Sequence, residues 1–330
     1  MAKELSIIIV SYNCIDHLLL CLQSINNQSV DFEYEVIVVD NASADNSRSV
    51  TKEKFPHVKW IESGYNAGFA RANNIGIKSS VGRLILILNP DTEMPDGFLK
   101  KFVALYNEKD NSDNLGIAGC KIISSKDNSL LIGSGNGFPS LRSTLCANPL
   151  TIRLARILGV SLDRRYDAYE MHDQDHEVDF VSGACAMITK SKIEHHNLYF
   201  DEDFFLYYED VEWCLRTQKK GLSNFFFSGI TIYHVNSAVT NKYGLKERQI
   251  LVSSFLFYFK TMGLIMYYFH GALLAFNYLL TIFLLRRANQ LDLCTFYKGD
   301  FKIFRSVYFR IPSLYKKKTS SAKSYLKYVE

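Results

Sequence analysis

At 330 residues the chain has room for one large domain with an appendage, or for two modest domains. Its 48% apolar and 22% charged residues are ordinary globular values and exclude wholesale disorder. The net charge of +4 conceals an asymmetry: residues 286–330 hold eleven Lys and Arg against three acids, so the remaining chain is net acidic. A basic tail on a mildly acidic body is built to meet phosphates. Seven scattered cysteines, with no CxxC pair or Cys/His cluster, argue against a zinc site or a disulfide framework and fit a reducing compartment. Lys3 and Glu4 lead directly into an apolar run, so no secretory signal is expected.

Five apolar runs follow one another: LSIIIV (5–10), EVIVVD (35–40), VKWIES (58–63), RLILILN (83–89) and LGIAGCKII (115–123). Continuous rather than alternating hydrophobicity predicts strands buried on both faces. Between the first two, the polar start at Asn13–Asp16 opens a helix with Leu18, Leu22 and Ile25 on one face. Between the third and fourth, GYNAGFARANNIGIKSS is helical after a glycine-rich opening. Strand–helix alternation predicts a doubly wound α/β sheet, and such sheets bind ligands beyond the carboxyl ends of their strands. Those ends are Ser11-Tyr12-Asn13, Asp40-Asn41-Ala42-Ser43 and Asn89-Pro90-Asp91. Turns and helix caps favour the same residue types, but three such segments on one rim point to a site.

Residues 124–176 have no steady period and are read as a long excursion over the active face. GSGNGF (133–138) neither follows the first strand nor opens a βαβ unit, so it is a loop rather than a dinucleotide fingerprint. The pair His195-His196 is read as a solvated turn whose side chains point apart. Residues 209–220 predict a helix that buries Val211, Cys214 and Leu215 and stops at Gly221.

The segments SIIIVSYN, VIVVDNASADNS, NAGFARANNIGI, LNPDTEM, FVSGACAMI, FDEDFFLYYEDVEWCLR and YHVNS stand in one order across about 70% of the chain. In that order the chain resembles the family-2 glycosyltransferases of the GT-A fold, in the branch that holds bacterial rhamnosyltransferases of polysaccharide assembly. The resemblance implies a Rossmann-like GT-A catalytic domain over residues 1–240 and a mostly helical, membrane-associating extension over 241–330. It implies a nucleotide-sugar donor, a dTDP- or UDP-sugar.

In that reading Asp40 accepts the imide N–H of the base, a charge-assisted bond contributing about 1.5–3 kcal/mol. Ser11, Tyr12 and Asn13 line the base. Asn66, Gly68 and Asn73 lie where a loop enters a helix, with Gly68 letting the backbone approach the diphosphate at the helix N-terminus. Relatives carry an Asp-x-Asp triplet where Asn89-Pro90-Asp91 stands here, so one carboxylate is lost. Asp91 and His234 are then the expected ligands of a divalent cation, Mg²⁺ or Mn²⁺, with Asn89 beside the donor. Asp210 is the expected base, with Gly183, Ala184, Glu209 and Trp213 on the acceptor side, Trp213 stacking on a sugar face. Acids at a helix start also complement the helix dipole, which explains acids here but not the whole EDVEWCLR string.

Residues 261–285 contain no Asp, Glu, Lys or Arg and are long enough to cross a bilayer. A single crossing would export the basic tail against the positive-inside tendency. The preferred reading is an apolar segment in the cytoplasmic interface of an anionic membrane, followed by the lysine cluster at 316–318. A homo-oligomer contact and a true span are the other two readings. The expected function is inverting transfer of a sugar, L-rhamnose from dTDP-rhamnose, to a lipid-linked saccharide acceptor in O-antigen or capsule assembly. Nucleic acid is not an expected partner. The alternatives are another UDP-, dTDP- or GDP-hexose transferase of the family, or a non-catalytic membrane scaffold that keeps the fold.

Overall fold

The computed structural model describes residues 3–112, 114–131, 134–135, 137–141, 144, 170–234 and 245–316. Most of the excursion read over 124–176 and Lys317 and Lys318 of the lysine cluster lie outside them. Contacts divide the chain into two units: Met1–Phe138 with Tyr166–Asn241, and Pro139–Arg165 with Lys242–Glu330.

The first unit is built on β1 (Leu5–Ser11), β2 (Tyr34–Asp40), β3 (Lys59–Glu62) and β4 (Leu84–Leu88), which run parallel in the order β3-β2-β1-β4. Every residue of β1 and β4 is buried, as their unbroken apolar runs demand. The run at 58–63 does not behave this way. β3 is the edge of the sheet, and its Lys59 and Glu62 are exposed. The helix α1 (Ile15–Asn26) buries Leu18, Cys21, Leu22 and Ile25 against the sheet. It is followed in the chain by α2 (Ser47–Lys54), α3 (Phe69–Ser79) and α4 (Phe98–Ser112).

Beyond β4 the sheet stops being parallel. Next to β4 comes β11 (Cys185–Thr189), antiparallel to it, and then β6 (Leu115–Ser124), which pairs in parallel with β12 (Ser223–His234). The short β5 (Thr92–Glu93) pairs antiparallel with the end of β12, while β7 (Leu130–Leu131) and β9 (His176–Val178) add to β6 and β12. A separate pair is formed by β8 (Ser134–Gly135) and β10 (Phe180–Val181). The sheet is therefore mixed: inserting β11 brings a late segment of chain beside β4, and the last strand reaches the same rim.

Two further helices complete this unit, α5 (Lys190–His196) and α6 (Glu209–Lys219). His195 and His196 are the last turn of α5 rather than a turn of their own, and their rings meet edge-on at 4.7 Å instead of pointing apart. α6 ends before Gly221, whose φ of 79° stops it. Its buried face is Glu209, Trp213, Cys214 and Thr217, rotated from the predicted Val211–Cys214–Leu215, of which only Cys214 is buried. The second unit is helical among the described residues: α7 (Leu245–Met262), α8 (Leu264–Arg287), α9 (Leu291–Val307) and α10 (Ile311–Lys316).

Candidate active site

The parallel register sets Ser11 beside Asp40, so β1 and β2 end together. The backbone then turns through left-handed conformations at Asn13 (φ 50°) and Ala42 (φ 60°). One small hydrogen-bonded cluster fixes both ends. Ser43 donates its N–H at 3.0 Å and its hydroxyl at 2.5 Å to the Asp40 carboxylate, and its Oγ accepts the Asn13 N–H at 2.9 Å. The Asn13 side-chain oxygen accepts the Ala44 N–H at 2.7 Å. Asp40 is buried, Tyr12 half-buried and Asn13 exposed. A carboxylate has acceptor capacity beyond the two bonds from Ser43, so Asp40 is held in place with room for an N–H donor. Ser43 carries this arrangement, and the sequence reading missed it. Its signal was the serine three residues after the strand-end Asp, near enough for its N–H and hydroxyl both to reach back to the carboxylate.

At the start of α3 the structure corrects two expectations. Gly68 has φ 80°, and a Cβ there would stand 2.4 Å from the Phe205 carbonyl oxygen. The Phe69 N–H donates to that same carbonyl at 2.7 Å. Gly68 is therefore glycine to admit the Phe205 backbone, not a diphosphate. Asn73 is fully buried and donates to the Phe69 carbonyl one turn back at 3.0 Å, so it cannot touch a donor. Asn66 accepts the Gly68 N–H at 3.2 Å and shapes the loop. Arg71 is held by Glu202 at 2.9 Å and by the Tyr65 hydroxyl at 2.9 Å.

The carboxyl ends of β4 and β12 converge. Pairing of His234 with Thr92 sets the imidazole beside Asp91, Nε2 to Oδ1 3.1 Å, and the Asn89 amide nitrogen lies 3.4 Å from the same Nε2. Asp91 and His234 are both nearly buried. Among the described residues no three His, Cys, Asp or Glu side chains gather in one place. The side chains gathered here are one carboxylate, one imidazole and one amide whose nitrogen faces the imidazole, and the carboxylate and imidazole suit a hard or borderline divalent cation. The residues present fit such an ion.

Across β11 stands the acid pair. Tyr207 (φ 69°) and Tyr208 (φ 67°) are consecutive left-handed residues without glycine, a costly backbone that aims the start of α6. Asp210 accepts the Gly183 N–H at 3.0 Å through one oxygen and the Val211 N–H at 2.9 Å through the other. Burial pushes its carboxyl above the usual range, against these two donors. Glu209 differs: it is 4% exposed and its Oε2 has no hydrogen-bond partner. Burial first, and then the neighbouring Asp210 charge, push its carboxyl well above the usual range. The surroundings of the two adjacent carboxyls differ: Asp210 has two N–H donors that favour its charged form, and Glu209 Oε2 has none.

Glu209 and Trp213 thus leave the acceptor side. Trp213 is fully buried, donates its indole N–H to the Leu198 carbonyl at 2.6 Å and packs on Phe200 at 4.4 Å, so no sugar can stack on it. Gly183 and Ala184 do something the sequence reading did not anticipate. While Gly183 gives its N–H to Asp210, the Ala184 carbonyl accepts the Asn89 N–H at 3.0 Å. Two adjacent residues bind the acid pair on one side and the Asn89–Asp91 turn on the other. A Cβ at position 183 would come within 3.2 Å of the Phe69 ring, so the glycine also keeps this approach close.

The buried Glu209 makes stability depend on pH. A carboxyl whose folded pKa is raised contributes stability below its unfolded pKa, and that contribution is lost as pH rises through the folded pKa. Glu209→Gln removes the titration while keeping the shape. The variant is expected to match the parent near pH 4 and to melt progressively above it towards pH 9, with each kcal/mol worth roughly 2–4 °C in a domain of this size. Parallel melting temperatures across that range would show that Glu209 is not held protonated by the fold.

The sequence pattern that defines "Glycosyl transferase family 2" matches residues 6–196, more than half of the chain. Among curated proteins, a low-salt glycan biosynthesis hexosyltransferase, Agl10, of Haloferax volcanii is 27% identical over 227 residues, covering 68% of this chain and 64% of that protein. An N-acetylglucosaminyl-diphospho-decaprenol L-rhamnosyltransferase of Mycobacterium tuberculosis is 23% identical over 261 residues, covering 73% of this chain and 79% of that one. A crystal structure of GalNAc-T7 with UDP, GalNAc and Mn²⁺ superposes with a TM-score of 0.52 at 14% identity, over 78% of this chain and 50% of that one. At that identity the likeness speaks for the fold alone, which is GT-A. By its sequence pattern, its strand order and its relatives, this chain belongs to glycosyl transferase family 2.

Proposed function

We propose that the protein is an inverting, cation-assisted sugar transferase that uses a nucleotide-sugar donor, dTDP-L-rhamnose, and a lipid-linked saccharide acceptor at the cytoplasmic face of a membrane. One observation carries the reading. The Gly183–Ala184 backbone holds Asp210 on one side and the Asn89–Asp91 turn, with His234, on the other. A single-displacement transfer needs both at once, a base for the incoming hydroxyl and a counter-charge for the outgoing diphosphate. The relative that acts on a decaprenol-linked acceptor with L-rhamnose supports the choice of donor and acceptor class.

Asp210 takes the proton of the acceptor hydroxyl as its oxygen bonds to the anomeric carbon. The bond from that carbon to the phosphate oxygen breaks on the opposite face, and the nucleoside diphosphate leaves with the electron pair. Asp40, fixed by Ser43, orients the pyrimidine base, with Ser11, Tyr12 and Asn13 around it. Asp91 and His234, with Asn89 beside them, would hold the cation, which when bound offsets the charge of the departing diphosphate.

A calorimetric screen of dTDP-, UDP- and GDP-sugars in the presence of Mn²⁺ tests the donor. dTDP-rhamnose is expected to bind most tightly, and GDP-sugars, whose base is a purine, least. Tightest binding of a UDP-hexose would replace rhamnose by that sugar. Absence of binding by any of the three would remove the enzymatic reading and favour a scaffold.

A further inference from the structure

The helix α8 is long and apolar enough to cross a membrane, yet it has two unlike faces. On one face Tyr267, His270, Gly271 and Ile282 are buried. His270 lies 2.9 Å from the Thr144 hydroxyl and 3.1 Å from that of Tyr308, and Tyr267 donates its hydroxyl to the Tyr308 carbonyl at 2.7 Å. Gly271 admits the Tyr308 ring, which a Cβ would meet at 2.5 Å. Polar interruptions of the apolar run are therefore the side that packs on protein. On the opposite face Ile265, Phe269, Phe276, Leu279 and Phe283 form a stripe at helical spacing, each more than half exposed.

α9 lies antiparallel along α8 for most of its length. Cys294 reaches the Ile282 carbonyl at 3.9 Å, Tyr278 meets the Phe301 and Phe304 rings at 5.8 Å, and beyond the end of α9 Phe309 stacks on Tyr268 at 6.4 Å. α9 also carries Asp292, Lys298, Asp300, Lys302 and Arg305. If α8 crossed a bilayer, these five charges would be drawn to the depth of the hydrocarbon, where ionised side chains are strongly disfavoured. Lys298, Lys302 and Arg305 follow one another at i, i+4 and i+7 on one face of α9, and all three are exposed. Arg286 and Arg287 stand exposed at the turn of the hairpin.

We propose that the α8–α9 hairpin is a surface anchor for an anionic phospholipid bilayer: α8 lies along the membrane with its outer stripe among the acyl chains, and Lys298, Lys302 and Arg305 bind lipid phosphates. A helical hairpin that exposes an apolar stripe on one helix and clusters Lys298, Lys302 and Arg305 on the other has the two chemistries of an interface that is apolar below and anionic above. The inference rests on the membrane-surface reading above for its setting, but binding to lipid requires no sugar transfer, so the two fail separately.

Sedimentation of the full-length protein with vesicles tests it. Phosphatidylcholine vesicles containing 30% phosphatidylglycerol are expected to capture the protein, and phosphatidylcholine alone to capture much less. Replacing Lys298, Lys302 and Arg305 together by Gln should weaken capture by roughly 10²-fold, with high salt doing the same to the parent. Phe276→Ser should weaken capture by either vesicle, which separates the apolar part from the charged part. Capture unaffected by the triple replacement would overturn the phosphate assignment. Reversible dimerisation without lipid, abolished by Phe276→Ser, would make the stripe a contact between copies and overturn the anchor. Labelling of Ser306→Cys by a membrane-impermeant thiol reagent outside intact cells would show a span and also overturn it. Loss of vesicle binding with retained transfer to a soluble acceptor would leave the proposed function standing. Vesicle binding with no transfer from any donor would do the reverse.

Discussion

Asp210→Asn is expected to leave nucleotide-sugar affinity nearly unchanged and to lower turnover by about 10²–10⁴-fold, the usual worth of a positioned general base. The asparagine keeps an acceptor for only one of the N–H groups of Gly183 and Val211, which meet separate oxygens of the parent carboxylate at 3.0 and 2.9 Å, so a melting curve accompanies the assay to show that the variant is folded. What disappears is the capacity to take a proton. In the parent, burial holds the Asp210 carboxyl above the usual range, so activity should fall as pH drops through a value higher than that of an ordinary aspartate. Donor binding by calorimetry and transfer by product assay decide the matter. Near-normal turnover of the variant would remove Asp210 from the role, and Glu212 would be next in line. Glu209 would not, because its carboxyl is buried, and burial pushes it well above the usual range.

The second large effect belongs to the end of β12. Asp91→Ala and His234→Ala should each lower turnover by roughly 10²-fold or more and weaken the dependence on Mn²⁺ and on donor together. The two side chains lie 3.1 Å apart, so in the proposed site they would serve one ion, and the double variant should cost less than the sum of the singles. Asn89→Asp restores a carboxylate to a position whose amide already sits 3.4 Å from the imidazole, and should tighten Mn²⁺ binding. Strictly additive losses, or full activity in excess EDTA, would show that no shared cation is involved.

How far the sequence could be read varied with the distance over which each feature is determined. Strand ends at Ser11, Asp40 and Asn89 follow from local hydrophobic runs, and the parallel sense of β1 to β4 follows from the helices between them, whereas their order β3-β2-β1-β4 does not. The edge position of β3 and the antiparallel β11 are set by pairing across the sheet, which no local pattern reports. The approach of His234 to Asp91, 143 residues away, came only from the resemblance. Strand spacing carries no mark of which rim a last strand will reach. Gly68, Asn73 and Trp213 were misread for one reason. Their motif implied ligand contact, while their helical phase and a distant backbone, Phe205 or Leu198, had already claimed them. Those partners lie on loops whose course is fixed by tertiary packing.

Gly183 and Ala184 each contribute a main-chain group: the Gly183 N–H meets the Asp210 carboxylate in the first turn of α6, and the Ala184 carbonyl meets the Asn89 N–H in the turn after β4. The gap in the proposed displacement, between base and diphosphate, is therefore bridged by two adjacent main-chain groups, with the Asp210 side chain completing one end. Other side chains around the gap can change in size and polarity, and with them the sugar admitted, while this bridge stays the same.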